Sequence, residues 1–192
     1  MTPFIKVLIF LGIGSALGYF SAHWIIAGDV GPLTIRNSGW TLWSKAGLHD
    51  ADPYTKAHFA LRGELPLSGF EEMTFKASAD EAGVELNTGC RYLLSSPPVP
   101  SRAWSLTASR PTGEPFTVAS RRTSFSRDNI VRLRNGNFRV EVSATASPGN
   151  WLPISVDDAN FILTLSMFNP DREIIEDPAR AKLPVIKQIN CR

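Results

Sequence analysis

The sequence IVRLRNGNFRVEVSA, residues 130–144, decides the fold class more than any other stretch of the chain. Two runs of alternating apolar and polar residues, Ile130 to Leu133 and Asn137 to Ala144, flank the dipeptide Asn135-Gly136. Alternation with a period of two indicates half-buried strands, and Asn-Gly between two such runs is typical of a hairpin. This stretch therefore predicts two antiparallel strands joined by a tight turn.

Similar strand-like runs recur on both sides of this hairpin. They are separated by breakers such as Pro97-Pro98, Pro111-Thr112-Gly113 and Pro148-Gly149. Short strands at this spacing favour a mainly β fold, an antiparallel β-sandwich or a jelly-roll-like domain. The remaining predicted strands are Met73 to Ala77, Cys90 to Leu94, Ala103 to Ala108, Phe116 to Ala119 and Asn160 to Phe168.

One short helix is predicted ahead of these strands. Asp52 is suited to cap its N-terminus, Pro53 to occupy its first position and Gly63 to end it. We expect His58 to be a packed histidine rather than a metal ligand, because no second histidine is spaced to help it. The predicted apolar stripe of the helix consists of Tyr54, Ala57, His58 and Leu61.

The N-terminal segment from Val7 to Gly28 contains no Asp, Glu, Lys or Arg. These 22 residues would form a helix of about 33 Å, enough to span a hydrocarbon core of roughly 30 Å. A cleaved signal peptide is the alternative, but its apolar core is usually shorter. The small-x-small sequence Ala16-Leu17-Gly18 lies in the middle of the apolar run, so an uncleaved single-span anchor is favoured.

Lys6 and the terminal amine lie on the short side of this segment, which predicts a cytoplasmic N-terminus by the positive-inside rule. Arg36 and Lys45 follow the span, so the charge bias is slight. The predicted organisation is a cytoplasmic tail (1–6), a transmembrane helix (7–28), a linker (29–39) and a β-sandwich domain (40–192). The predicted location is the bacterial inner membrane, with the C-terminal domain in the periplasm.

Gly14, Gly18 and Ala22 repeat every fourth residue in the apolar segment. Such spacing allows two membrane helices to approach closely, so a homodimer through this face is one hypothesis. The alternative is chance, since glycine and alanine are common in membrane helices.

Cys90 and Cys191 are the two cysteines of the chain. An even number of cysteines in an exported chain favours one disulfide. Closing a loop of roughly 100 residues would contribute about 4 to 5 kcal/mol in the chain-entropy model. The alternative is two buried free thiols.

The chain carries 43% hydrophobic and 20% charged residues, which fits one folded domain and excludes wholesale disorder. Its three histidines form no metal-binding spacing, and neither a nucleophile elbow nor a phosphate-binding loop is present. The sequence therefore predicts no catalytic residue, metal, cofactor or nucleic-acid partner.

Arginine supplies the clearest functional signal. From Arg102 to Arg139 the chain has eight arginines and two acidic residues, a net charge of +6 that leaves −4 for the rest. Guanidinium groups suit phosphate, sulfate and carboxylate, so an anionic lipid or glycan is the predicted partner. We select Arg121, Arg122 and Arg127 as candidate ligand-binding residues. The alternative is a set of solvent-facing positions.

Trp151, next to Asn150, lies in a predicted loop between prolines. An exposed tryptophan with a neighbouring amide could stack on a sugar ring and hydrogen-bond it, so both residues join the candidate ligand-binding set. The alternative is that Trp151 closes one end of the sandwich.

From Trp40 onward the chain carries a series of landmark blocks, of which Trp104-Ser105-Leu106-Thr107 and Asn150-Trp151-Leu152-Pro153 are the most specific. By these blocks, the region resembles a bacterial family catalogued as domain of unknown function 1214. The other matching blocks are Asp50-Ala51-Asp52-Pro53-Tyr54-Thr55, Gly63-Glu64-Leu65-Pro66-Leu67-Ser68, Cys90-Arg91-Tyr92, Phe168-Asn169-Pro170, Leu183-Pro184 and Cys191.

The resemblance implies a β-sandwich and an envelope location, of the short, membrane-anchored type found in Gram-negative bacteria. Family members are often fused behind a second uncharacterised domain, which we expect this chain to lack. The resemblance implies no reaction and no catalytic residue. Residues 119–127 read ASRRTSFSR where the family usually has a tyrosine-containing loop, so any pocket chemistry there differs.

Three functional hypotheses follow. The first is a non-catalytic envelope domain that binds an anionic ligand or a protein partner. The second is an enzyme acting on an envelope polymer or a small molecule. The third is a structural or assembly factor that dimerises through its membrane helix. A large concave pocket with convergent polar groups would favour the second, and a flat arginine-rich face the first.

Overall fold

A computed structural model describes residues 3–27, 31–118, 120, 122–156 and 159–191. The helices are α1 (Pro3–Ala27), α2 (Pro53–Arg62) and α3 (Arg172–Glu176), and a 3₁₀ turn covers Pro178–Arg180. The strands are β1 (Thr34–Asn37), β2 (Trp40–Trp43), β3 (Glu72–Ala77), β4 (Cys90–Ser96), β5 (Ser101–Ser109), β6 (Ser124–Ser126), β7 (Phe138–Ser143), β8 (Trp151–Pro153), β9 (Ile162–Pro170) and β10 (Val185–Cys191).

The strands form two sheets, so the prediction of a mainly β fold is confirmed. The larger sheet has the order β1-β2-β3-β9-β5-β6, and the smaller has the order β10-β4-β7-β8. Every pair of neighbouring strands is antiparallel except β7 and β8, which run parallel. The smaller sheet is therefore mixed rather than antiparallel throughout.

One hydrophobic core joins the two sheets. Trp104 of β5 stacks on Phe138 of β7 with ring centroids 5.1 Å apart. Tyr92 of β4 meets Phe161 edge-on at 5.6 Å. Alternation explains which residues enter the core: along β3, Met73, Phe75 and Ala77 are buried and their neighbours are half-buried.

The predicted hairpin at Asn135-Gly136 is only partly correct. The turn is present, since the Gly136 amide donates to the Leu133 carbonyl at 2.9 Å. Its first arm makes a single bridge, between Arg132 and Phe138, instead of a strand. The two edges of β7 are taken by β4 and β8, so no edge remains for a longer ladder.

Other strand predictions also differ from the structure. No strand is assigned at residues 116–118, and Ala119 lies outside the described residues. Strand β1 lies within the stretch predicted as a linker, and β8 within a predicted loop. Strands of three or four residues are too short for alternation to reveal, so β1, β6 and β8 depend on tertiary pairing.

The predicted ends of α2 are confirmed. The Asp52 carboxylate accepts from the amides of Tyr54 and Thr55 at 2.9 and 3.0 Å, and Gly63 ends the helix with a left-handed backbone. The predicted apolar stripe is only partly correct: His58 is packed as predicted, stacked on Trp43 at 4.0 Å, but Tyr54 and Leu61 are 41% and 77% exposed. Thr55 completes the buried face of the helix.

Helix α1 is long and apolar enough to cross a membrane, and none of its residues is buried. By length and composition it fits either a membrane anchor or a signal sequence. Its C-terminal end meets α2: Nδ1 of His58 lies 2.7 Å from the Ile26 carbonyl oxygen, and Arg62 donates to the Ala27 carbonyl at 3.3 Å. No other atom lies within 4 Å of a Cβ built on Gly14 or Gly18, so this part of the helix is open.

Cys90 and Cys191 are joined by a disulfide. The two residues face each other in the ladder between β4 and β10. The bridge therefore ties the C-terminal strand to the smaller sheet.

Candidate functional site

One depression on the β domain, here called the apolar cleft, has a volume of about 470 Å³. It lies between α2, β2, β3 and the chain segment that follows α2. Its lining is mostly apolar, which is typical of small-molecule sites. The apolar cleft is lined by Ile35, Thr41, Leu42, Trp43, Ser44, Ala46, Leu48, Phe59, Glu64, Leu65, Pro66, Leu67, Gly69, Phe70, Glu72, Met73, Thr74, Lys76, Ile175, Glu176 and Pro178.

The lip of the apolar cleft is the segment 63–70, which leads from α2 toward β3. Leu65 and Phe70 in this lip are 95% and 69% exposed. The lip packs closely against Gly47, which has φ at +69°. The Leu67 carbonyl oxygen lies 1.9 Å from where a Cβ on Gly47 would be. Only glycine fits there, so this close approach packs the lip against the turn that follows β2.

Glu64 and Lys76 close one end of the apolar cleft. The Lys76 ammonium donates to both carboxylate oxygens of Glu64, at 2.7 and 2.9 Å. The Lys76 side chain is only 20% exposed, so the carboxylate compensates a charge that is largely withdrawn from water.

A second depression of about 490 Å³, here called the hydroxyl depression, lies beyond this ion pair. Glu64 and Lys76 line both depressions, so the ion pair is the boundary between them. Hydroxyl-bearing side chains supply most of the polar lining of the second one. The hydroxyl depression is lined by Arg62, Glu64, Lys76, Thr107, Ala108, Ser109, Pro111, Thr112, Gly113, Pro115, Thr123, Ile162 and Thr164.

Strand register explains why these hydroxyls come together. Lys76 of β3 pairs with Thr164 of β9, and Thr164 pairs with Thr107 of β5. Thr107 in turn pairs with Ser124 of β6. Directly opposed residues point to the same face of a sheet, so this row lies on the face turned away from the core. A second row on the same face, two residues further along each strand, also carries hydroxyls: Thr74, Ser166, Ser105 and Ser126.

A third, shallower depression of about 490 Å³, here called the arginine hollow, contains two of the predicted ligand-binding residues. The Arg122 guanidinium lies 5.1 Å from the Phe125 ring centroid, and Trp151 is half-buried. The Trp151 indole N–H donates to the Ser143 carbonyl at 2.9 Å. The arginine hollow is lined by Ser120, Arg122, Thr123, Ser124, Asn129 and Trp151.

The other predicted ligand-binding residues are not part of this lining. Arg127 donates to the carbonyls of Ser101 and Arg102, at 3.2 and 2.8 Å. The Asn150 amide donates to the Val131 and Arg139 carbonyls and accepts from the Val131 amide, all at 2.8 or 2.9 Å. These contacts hold loops together, and Arg121 lies outside the described residues.

The smaller sheet carries Glu141, whose ionised form is stabilised by neighbouring groups. Burial works against its ionisation, but hydrogen bonds from Ser147, Arg91 and Ser143, with the Arg91 charge, hold the pKa of Glu141 below its usual range. The Ser147 hydroxyl donates at 2.6 Å and the Arg91 Nε at 2.9 Å. The Glu141 carboxylate is therefore used in contacts within the fold and stays ionised at neutral pH.

Sequence reasoning missed the apolar cleft and the hydroxyl depression. Their residues come from strands, a helix and a lip that are far apart in the chain. A detectable signal was the Ser or Thr at alternate positions of β5 and β9, which marks a polar sheet face. Within the described ranges, no group of three or more His, Cys, Asp or Glu is placed to hold a metal ion.

A solved structure has a similar fold. The VPA0106 protein from Vibrio parahaemolyticus superposes with a TM-score of 0.62 and 19% sequence identity, over 99% of this chain and 46% of that chain. The chain thus spans about half the length of that protein. An uncharacterised protein from Burkholderia cenocepacia gives a TM-score of 0.48 and 14% identity, over 93% of this chain and 42% of that one.

No protein of curated function matches the sequence. The model of one family, described as protein of unknown function (DUF1214), matches residues 71–172. This match takes in strands β3 to β9 and more than half of the chain. The chain therefore belongs to the DUF1214 family of proteins of unknown function.

Proposed function

We propose that this protein is a membrane-anchored, non-catalytic binding domain that holds the hydrocarbon chain of a single-chain amphiphile in the apolar cleft. The observation that carries the proposal is the cleft of about 470 Å³, which is lined by Trp43, Phe59, Phe70 and aliphatic side chains. Burying apolar surface there would contribute roughly 25 cal/mol per Å².

The position of the cleft relative to α1 supports an occupant taken from the bilayer. The cleft wall includes Phe59 of α2, and α2 contacts the C-terminal end of α1 through His58 and Arg62. With α1 in the membrane, the cleft would lie near the membrane surface. The exposed side chains of Leu65 and Phe70 would then face the interface, from which a hydrocarbon chain can enter without crossing water.

The proposal includes the topology expected from the sequence. The N-terminus is cytoplasmic, α1 spans the inner membrane once, and the β domain is periplasmic, with its two sheets packed as a sandwich. The shared core and the Trp104–Phe138 contact support the sandwich. The disulfide supports an oxidising compartment.

Photolabelling of the full chain in lipid nanodiscs tests this function. A dodecyl chain that ends in a diazirine should label peptides containing Trp43, Met73 or Phe70, in addition to α1. Thr74→Phe projects a ring into the cleft and should abolish cleft labelling. Thr117→Phe, at an exposed position outside the cleft lining, is the matched control and should label normally. Labelling confined to α1 would refute the proposal.

A second candidate function is binding of an anionic glycan or lipid headgroup in the arginine hollow. Arg122 and the half-buried ring of Trp151 line the same hollow, together with Thr123, Ser124 and Asn129, and these groups suit an acidic sugar. Arg122→Ala should weaken binding of an acidic oligosaccharide about tenfold. Arg134→Ala, outside this lining, should not. If Arg122→Ala binds the oligosaccharide as well as Arg134→Ala does, the hollow is ordinary solvated surface.

A further inference from the structure

We propose that the amphiphile crosses the Glu64–Lys76 ion pair and lays an uncharged, hydroxylated head, such as a sugar, in the hydroxyl depression. This inference rests on the proposed function and adds the class of headgroup. The apolar cleft and the hydroxyl depression are neighbours that share Glu64 and Lys76 as lining residues. One molecule with an apolar end and a polar end matches this pair of depressions.

The assignment of an uncharged, hydroxylated headgroup rests on hydroxyl groups that can bind a ligand. Within the described part of the chain, the hydroxyls of Thr107, Thr123 and Thr164 make no hydrogen bond to another protein group. Thr107 and Thr164 are half-buried and directly opposed in the ladder between β5 and β9. Hydroxyls both donate and accept, so a fixed row of them suits a ligand that also both donates and accepts.

The charges around the hydroxyl depression favour a neutral head. Lys76 is already bonded to both oxygens of Glu64. Arg62, the remaining charged residue of the lining, donates to the Ala27 carbonyl at 3.3 Å and is exposed, so water and salt screen its attraction for an anion. A phosphate or ammonium head would lose water without gaining a new counterion from the ion pair, and this desolvation is costly. A sugar can replace its water with hydroxyl and carboxylate contacts.

Three probes that share the same hydrocarbon chain and differ only in the headgroup test the headgroup separately from the hydrocarbon chain. Each has a dodecyl chain ending in a diazirine, and the heads are glucoside, phosphate and trimethylammonium. The full-length protein is labelled in nanodiscs, and labelling of the cleft is measured relative to labelling of α1. That ratio corrects for different partitioning of the probes into the bilayer. We expect the glucoside probe to label the cleft at least several-fold more than the two charged probes.

Thr107→Val combined with Thr164→Val removes two hydroxyls and keeps the β-branched shape that suits a strand. This variant should reduce cleft labelling by the glucoside about tenfold, the loss expected for two hydrogen bonds. The control Thr117→Val changes an exposed threonine outside both depressions and should leave labelling unchanged.

The outcomes distinguish this inference from the proposed function. Equal cleft labelling by all three probes, unchanged in the double variant, would overturn the headgroup assignment and leave the cleft as a chain-binding site. Preference for the phosphate probe would also overturn it. Absence of cleft labelling with every probe would overturn the proposed function itself.

Discussion

The Lys76 ammonium lies between the two carboxylate oxygens of Glu64, at 2.7 and 2.9 Å, and this one pair separates two depressions of different chemistry. Lys76 belongs to the sheet, while Glu64 follows the glycine that ends α2. The contact therefore ties the lip of the apolar cleft to its floor. It is both a structural clamp and the point that a ligand spanning the two depressions must cross.

Separating this pair should loosen the lip. Glu64→Gln leaves the 20%-exposed Lys76 side chain without its counterion, so we expect a loss of about 1 kcal/mol in the free energy of unfolding. Urea titration of Glu64→Gln, Lys76→Met and the double variant forms a double-mutant cycle. Additive losses in the cycle would mean that the pair contributes no coupling.

The disulfide should be a major source of stability. It joins residues separated by 101 positions, for which the chain-entropy model gives about 4 to 5 kcal/mol. Non-reducing mass spectrometry should show a peptide that links Cys90 to Cys191. Cys191→Ser should lower the unfolding temperature to the value of the reduced wild type, and two free thiols in the native protein would contradict the prediction.

Glu141 should make stability depend on pH in the acidic range. Its pKa is lowered in the folded state, so its contribution is present above its unfolded pKa of about 4.3 and is lost as pH falls through the folded value. The difference in unfolding temperature between wild type and Glu141→Gln should therefore be largest near neutral pH and should shrink below about pH 4. A difference that does not change with pH would exclude this role.

The N-cap of α2 offers a local test of helix stability. Asp52→Ala removes the acceptor for two backbone amides and for the Thr55 hydroxyl, which donates at 2.6 Å. The expected loss is about 1 kcal/mol in the free energy of unfolding, and Asp52→Asn should recover most of it. Equal losses in both variants, measured by thermal melts monitored by circular dichroism, would mean that the carboxylate charge matters more than the cap.

The third functional hypothesis, dimerisation through α1, predicts its own result. Gly14→Leu with Gly18→Leu fills the open surface of these glycines and should convert a homodimer to a monomer in sedimentation experiments in detergent. Gly12→Leu, equally open but outside the four-residue repeat, is the control. An unchanged oligomeric state in the double variant would remove this hypothesis.

Elements with strong local signals were predictable from the sequence. The ends of α2 follow from Asp52, Pro53 and Gly63, whose capping and backbone preferences act within one helical turn. Strands β3, β4, β5 and β9 are long enough for alternation to be read. The hairpin failed because its first arm, at residues 130–133, competes with β4 and β8 for the edges of β7.

The candidate site was only partly predictable. Arg122 and Trp151 were selected for their chemistry, and the structure brings them into one hollow. Asn150 was selected for the same reason, but its amide is used by the carbonyls of Val131 and Arg139. Whether a polar side chain serves a ligand or the fold depends on its neighbours in space, which residue type cannot reveal.

By itself, the sequence determined an apolar N-terminal helix, a mainly β domain and the family to which the chain belongs, because each is written in local period, length or pattern. Only the tertiary structure decided that Lys76 meets Glu64 and that Thr107 lies opposite Thr164. These contacts depend on strand order and register, which arise when the whole chain buries one shared core. The apolar cleft and the hydroxyl depression exist only at that level.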